Sequence, residues 1–175
     1  MLVGRNSLPD CVVLVDAENV SPDALDSLMH WLRVRFNIAK AIGFADFSQR
    51  ALIGADLALR QQGITPQHVP SQRSGRSYRK NLVDPTLIVE MMMTYAQHRH
   101  NLHIYVLVSG DSHFLPMVRA LRADGQHVIV AAPSRSSSHS LRRAANRFFD
   151  LMPISRGMPT AAARYGATAI GGKLQ

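Results

Sequence analysis

Five short apolar runs punctuate the chain: Cys11–Val15, Ile38–Phe44, Ile64–Val69, Ile104–Val108 and Val128–Ala132. Each has the length of a strand and is too short for a buried helix. The first and fourth are nearly continuous in Val, Leu and Ile, as central parallel strands covered on both faces should be. Longer mixed stretches with helical spacing lie between them: Pro22–Phe36, Phe47–Gln62, Pro85–His98 and Leu115–Ala123. A fifth, Leu141–Leu151, follows the last strand. Ser21 with Pro22, and Asp84 with Pro85, read as N-cap and first-turn pairs. Gly63 and Gly125 stand where helices should stop.

Regular alternation of strand and helix predicts an α/β fold: a three-layer sandwich with a mostly parallel sheet of about five strands and right-handed crossovers. One domain spans residues 11–152, after a lead-in of residues 1–10. Residues 153–175 form a Gly/Ala-rich tail with scattered basic residues, expected to be flexible. Two polar stretches interrupt the pattern. Ser71–Lys80 is an Arg-rich insert after the third strand, and Ser134–Ser140 is a Ser-rich loop after the last.

Composition narrows the classes. No apolar run approaches the roughly 18 residues of a membrane helix, and the first ten residues hold no secretory h-region. Cys11 is the single cysteine, so no internal disulfide forms and a reducing cytoplasm fits. The net charge of +8 and pI of about 10.5 suit a polyanionic partner, because cationic side chains on phosphates release condensed counterions. A membrane surface fits less well, for no basic amphipathic helix stands out. Neither a GxGxxG nor a Walker-type loop is present, so a nucleotide cofactor is not expected.

Against this basic background the placing of the acids is informative. In open α/β sheets ligands bind outside the carboxyl ends of the strands. Asp16 follows the first strand, Asp46 the second and Asp111 the fourth, while Asp84 opens the helix after the third. Singly, each could be a loop or helix cap. Together they bring carboxylates from separate segments to one edge. Two carboxylates about 4 Å apart repel by roughly 4 kcal/mol at an effective dielectric of about 20, and a divalent cation reverses that sign. Oxygen ligands with spare water positions suit Mg²⁺ or Mn²⁺.

The stretch Val12-Val-Leu-Val-Asp16-Ala-Glu-Asn19-Val20 resembles the opening motif of NYN domains, in which a strand ends in Asp and Asn follows three residues later. Val106-Leu-Val-Ser109-Gly-Asp111-Ser-His113-Phe114-Leu-Pro116 is similar to that family's SGDSDF segment, and Leu82-Val83-Asp84 to its intermediate segment. The likeness runs from about residue 11 to 152 and points to the LabA/limkain type of this PIN-like nuclease branch. It implies metal-dependent cleavage of RNA in active members. Carried over, Asp16, Asp84 and Asp111 bind metal, Asn19 orients a ligand or water near Asp16, and Ser109 positions Asp111. Two positions depart from the pattern: the second Asp of SGDSDF is His113, and the later acid of the middle helix is Glu90. Glu90 lies six residues past Asp84, about 120° around the helix at roughly 3.6 residues per turn, which suits a supporting or solvent-facing role. His113 could hold a phosphate, a water or a metal such as Mn²⁺.

The expected reaction is metal-assisted phosphodiester hydrolysis without a side-chain nucleophile, leaving 5′-phosphate and 3′-hydroxyl ends. Arg73, Arg76, Arg79 and Lys80 on the insert, and Arg135, Arg142 and Arg143 around the Ser-rich loop, are candidate phosphate contacts, with Tyr78 able to stack on a base. Single-stranded or looped RNA is the preferred partner, DNA a further option, and homodimerisation an open one because PIN-like domains often pair. The competing reading is a catalytically impaired RNA-binding or scaffolding module, resting on His113 and Glu90.

Other signals carry less. Gly110-Asp111-Ser112 is like the GDS block of some esterases, but His139 is the sole later His past the last strand and has no Asp beside it. Asp16-Ala17-Glu18 departs from haloacid-dehalogenase-type phosphatases at Glu18 and Leu115. His98, His100 and His103 fall near a helix end opposite the acidic edge, where a helix dipole favours them.

Overall fold

The computed structural model describes residues 8–20, 22–74, 78–80 and 82–151. Strands β1 (Asp10–Asp16), β2 (Asn37–Ala45), β3 (Thr65–His68), β6 (Ile104–Val108), β7 (His127–Ala132) and β8 (Arg147–Asp150) form one sheet in the order β3-β2-β1-β6-β7-β8. All five pairings are parallel. A separate antiparallel hairpin, β4 (Gln72–Ser74) and β5 (Tyr78–Lys80), occupies the polar insert.

Residue alternation explains why the central strands read as unbroken apolar runs. Val13 and Val15 face a core shared with helix α1 (Pro22–Arg35) and helix α2 (Ala55–Gln61). Val12 and Leu14 face the opposite core, shared with α3 (Val83–His98), α4 (Leu115–Ala123) and α5 (His139–Ala144). Each buried Val or Leu contributes about 1.5–3 kcal/mol on either side. The same period of two carries Asp16 to the face of Val12 and Leu14, hence towards α3.

Sheet order sets the location of the site. From β1 the chain moves outward to β2 and β3, then returns by α3 to β6 and continues the other way to β7 and β8. The connections that follow the neighbouring strands β1 and β6 therefore run in opposite directions, the topological switch point at which such sheets bind ligands.

Three expectations are revised. Leu141–Leu151 is a short helix followed by a sixth sheet strand. Phe149 packs against the Trp31 ring at 5.6 Å while Phe148 packs into the opposite core, an alternation that two adjacent Phe residues achieve on a strand. Phe47–Gln62 is interrupted: a 3₁₀ turn spans Arg50–Leu52, and Gly54 at φ +80° separates it from α2. At α3 the N-cap position is Leu82, and Asp84 falls in the first turn. Gly63 and Gly125 end α2 and α4 with φ of +69° and +76°, left-handed conformations that glycine adopts without strain. Ser21, and the tail expected from residue 153, lie outside the described residues.

Candidate metal centre

Asp16 is wholly buried at the end of β1. Its Oδ2 accepts from Asn19 Nδ2 at 2.6 Å and from Ser109 Oγ at 3.0 Å. Its Oδ1 is buried without a hydrogen-bond partner among the described residues. Burial pushes the Asp16 carboxyl above its ordinary range; the two hydrogen bonds oppose that shift, and the charges of Asp84 and Glu18 add to it.

In the first turn of α3, Asp84 presents a second such oxygen: Oδ1 is buried and unpartnered, while Oδ2 lies 3.1 Å from His113 Nδ1. Asp111, after β6, directs Oδ1 at the backbone N–H of His113 (2.9 Å), and the His113 ring nitrogen is 3.4 Å away. Its own N–H donates to Ser109 Oγ at 3.2 Å. Asp84, Asp111 and His113 each offer a ligand atom, all within 4.8 Å of one another. Hydrogen bonding to Asp84, then the charges of Asp111 and Asp84, raise the His113 pKa. Asp16 stands outside this trio but is close enough to feel the Asp84 charge. The compact oxygen-and-nitrogen donor set of Asp84, Asp111 and His113, with an orphaned buried oxygen on Asp84 and another on nearby Asp16, is chemistry that fits a divalent cation.

The remaining candidates separate. Asp46 accepts from Ser48 N–H (3.2 Å) and Oγ (2.5 Å), and its other oxygen accepts from Ser71 N–H at 3.1 Å. These bonds hold its carboxyl well below the usual range. It fastens the loop after β2 to the start of the hairpin segment. Glu90 pairs with Lys40 on β2. A bulge at Ala39 shifts the β1–β2 register and turns Lys40 to the α3 face, so Glu90 is engaged in the amino-terminal half of β2, away from the acidic edge.

Of the cationic candidates, Arg135 lines a cleft of about 570 Å³ together with Asn19, Asp111 and Ser136–Ser138. Arg142 instead lies over the Phe148 ring at 5.5 Å. Arg143 lines a separate groove. Arg73, Tyr78, Arg79 and Lys80 lie on the hairpin by backbone, and Arg76 is outside the described residues. Glu18 was missed by sequence reasoning. Its Oε1 accepts from Asp46 N–H at 3.0 Å and Gln49 Nε2 at 3.1 Å, joining the loops after β1 and β2. An acid two residues past a strand-end Asp was the available signal.

Fold and site together define a doubly wound α/β protein with an acidic centre at its switch point. The chain matches the NYN domain family over residues 10–152 and belongs to it. It is 30% identical over 112 residues to the low amplitude and bright protein LabA of Synechococcus elongatus. That match covers 64% of this chain and 55% of LabA, so the chain spans about half of that relative's length. A Vibrio parahaemolyticus protein of unknown function has a similar crystal structure, with a TM-score of 0.69 at 19% identity, covering 86% of this chain and 97% of that one. Among the described residues no helix is long and apolar enough to cross a membrane.

Proposed function

We propose that this NYN domain is a metal-dependent endoribonuclease that hydrolyses single-stranded or looped RNA at the β1/β6 edge. The observation that carries the reading is the pair of buried, unpartnered oxygens, Asp16 Oδ1 and Asp84 Oδ1, beside the Asp84–Asp111–His113 cluster. Asp16, Asp84 and Asp111 would hold Mg²⁺ or Mn²⁺, with His113 adjoining them. The ion would supply positive charge to the phosphate and to the leaving oxygen. Asn19 and Ser109 keep Asp16 in one orientation, and Ser109 also fixes the Asp111 backbone. Arg135 and the Ser-rich loop give the neighbouring cleft a cation and hydroxyls for backbone phosphates. The buried thiol of Cys11, pushed up to about 12 by burial, takes no part in the chemistry and suits a reducing cytoplasm.

The test is cleavage of single-stranded RNA with Mg²⁺, Mn²⁺ or EDTA, run beside Asp111→Asn. Metal-dependent cutting that the variant loses supports the reading, whereas 2′,3′-cyclic phosphate ends exclude this hydrolysis. A second reading, an RNA-binding module with an impaired site, is favoured by one observation: the His113 ring sits 3.1 Å from Asp84 and 3.4 Å from Asp111, where the family pattern has a carboxylate. RNA binding without cleavage under any metal would select it.

A further inference from the structure

Helices α4 and α5 pack beside each other on the α3 side of the sheet, and a groove of about 640 Å³ runs between them. Arg119 and Arg122, three residues apart on α4, line one wall; His139 and Arg143, four apart on α5, line the other. These spacings put each pair on one helix face. Among the described residues no carboxylate lines the groove. Asp124, just past α4, is committed to the Tyr95 hydroxyl at 2.6 Å. Arg122 donates to Ala144 O at 2.9 Å and so ties α5 to α4. Arg119, His139 and Arg143 are exposed.

This groove adjoins the cleft at the acidic site. Ser138 lines the cleft beside Asp111, and its N–H donates to Gly110 O at 2.9 Å. The next residues, His139 and Ser140, already line the groove. The turn that carries His113, Ser112–Phe114, is packed against α5. A strand leaving Asp111 along the Ser-rich loop therefore enters the groove beside His139, with Arg143 and Arg119 on its two walls.

Resting on the nuclease reading for its substrate, we propose that the α4/α5 groove is a second phosphate-binding site, which holds the RNA backbone on one side of the cut. Converging cations without a counter-carboxylate repel one another, and a phosphodiester chain relieves that repulsion while releasing its own counterions. Backbone contacts of this kind place the strand without reading its bases.

The experiment measures binding of a labelled single-stranded RNA in EDTA, so that no cutting is needed, across a salt series. Arg119→Gln/Arg143→Gln is compared with wild type and with Arg33→Gln/Arg60→Gln, a double of equal charge. Arg33 lies in the last turn of α1 and Arg60 in the last turn of α2, on the opposite face of the sheet from the groove. The groove double should bind roughly tenfold more weakly and lower the salt slope by about 1.4, the value for two single-strand phosphate contacts. The control double should stay near wild type. Equal weakening of both doubles, or of neither, overturns the proposal. If wild type binds through the groove yet never cuts RNA with metal, the nuclease reading alone fails; if it cuts and the groove double binds normally, the groove alone fails. Wild type binding no RNA overturns both. Circular dichroism checks the fold, and single Arg119→Gln replaces the double should Arg143→Gln unfold α5.

Discussion

Ser109 donates its hydroxyl to Asp16 Oδ2 at 3.0 Å inside the sheet edge, across 93 positions of sequence. The Ser109 hydroxyl oxygen in turn accepts the Asp111 N–H at 3.2 Å. One hydroxyl thus sets the side chain of the acid after β1 and the backbone of the acid after β6. The bond exists because β1 and β6 pair in parallel, with Val15 opposite Val108, so that their next residues leave the sheet side by side. Buried hydroxyls with two partners fix geometry as well as contributing about 1 kcal/mol per bond.

Asp16→Asn separates the site's use from its cost. Burial raises the folded-state pKa of Asp16, so its favourable contribution to folding is present below the ordinary value of about 3.9 and lost as pH rises through the folded value. Near neutrality, without metal, the ionised group opposes folding. The variant should therefore be more stable than wild type in EDTA, by roughly 1–3 kcal/mol, and lose cleavage by about 100-fold or more. Added Mn²⁺ should raise the melting temperature of wild type more than that of the variant. Thermal unfolding in EDTA and in Mn²⁺ checks both; a variant less stable in EDTA contradicts the account.

His113 should leave a pH signature in the metal-free protein. Hydrogen bonding to Asp84 raises its folded-state pKa, so the stabilisation is full below the ordinary value of about 6.5 and fades as pH rises through the raised value. Wild type should exceed His113→Gln in melting temperature at pH 5.5, and the gap should close by alkaline pH. His113→Asp should also move metal preference, measured by calorimetry, from Mn²⁺ towards Mg²⁺, because imidazole suits the softer ion.

The β1, β6 and α4 segments were legible in the sequence because each repeats one simple pattern. Continuous Val/Leu/Ile runs follow from two covered faces, and Gly125 marks the stop after α4. The common edge of Asp16, Asp84 and Asp111 was expected from their places after apolar runs in an alternating parallel pattern and from the motif resemblance. What stayed hidden depends on long-range register. Nothing local says that a bulge at Ala39 turns Lys40 towards Glu90, or that Arg142 lies on Phe148 while Arg135 borders the Asp111 cleft. The strand at Arg147–Asp150 was hidden for a related reason: four residues carry too little periodicity to distinguish strand from helix, and pairing with β7 decides it.

Glu90→Gln should be nearly silent in catalysis. Its carboxylate pairs with Lys40, and both side chains are partly exposed, at 25% and 37%. Pairs of that exposure contribute about 0–1 kcal/mol. Cleavage should remain within about twofold of wild type, with a stability loss under about 1 kcal/mol. A large drop in metal affinity by calorimetry would instead place Glu90 at the centre.

Gly110→Ala tests whether the Ser-rich loop must lie against the acidic segment. A β-carbon at Gly110 would come within 2.9 Å of Ser137 Cα and 3.0 Å of Ser137 Cβ, closer than side chains pack. The first of these is backbone, so no rotamer change relieves it. The loop must shift, yet Ser138 N–H is bonded to Gly110 O, and Arg135 stands on the same loop. Overpacking of this kind costs about 1–3 kcal/mol. We expect Gly110→Ala to lower stability by that amount and to weaken RNA binding in EDTA, while Mn²⁺ affinity changes less, since Asp16 and Asp84 sit on other elements. Equal loss of metal and RNA affinity would mean that the Asp111 segment moved and the loop stayed in place.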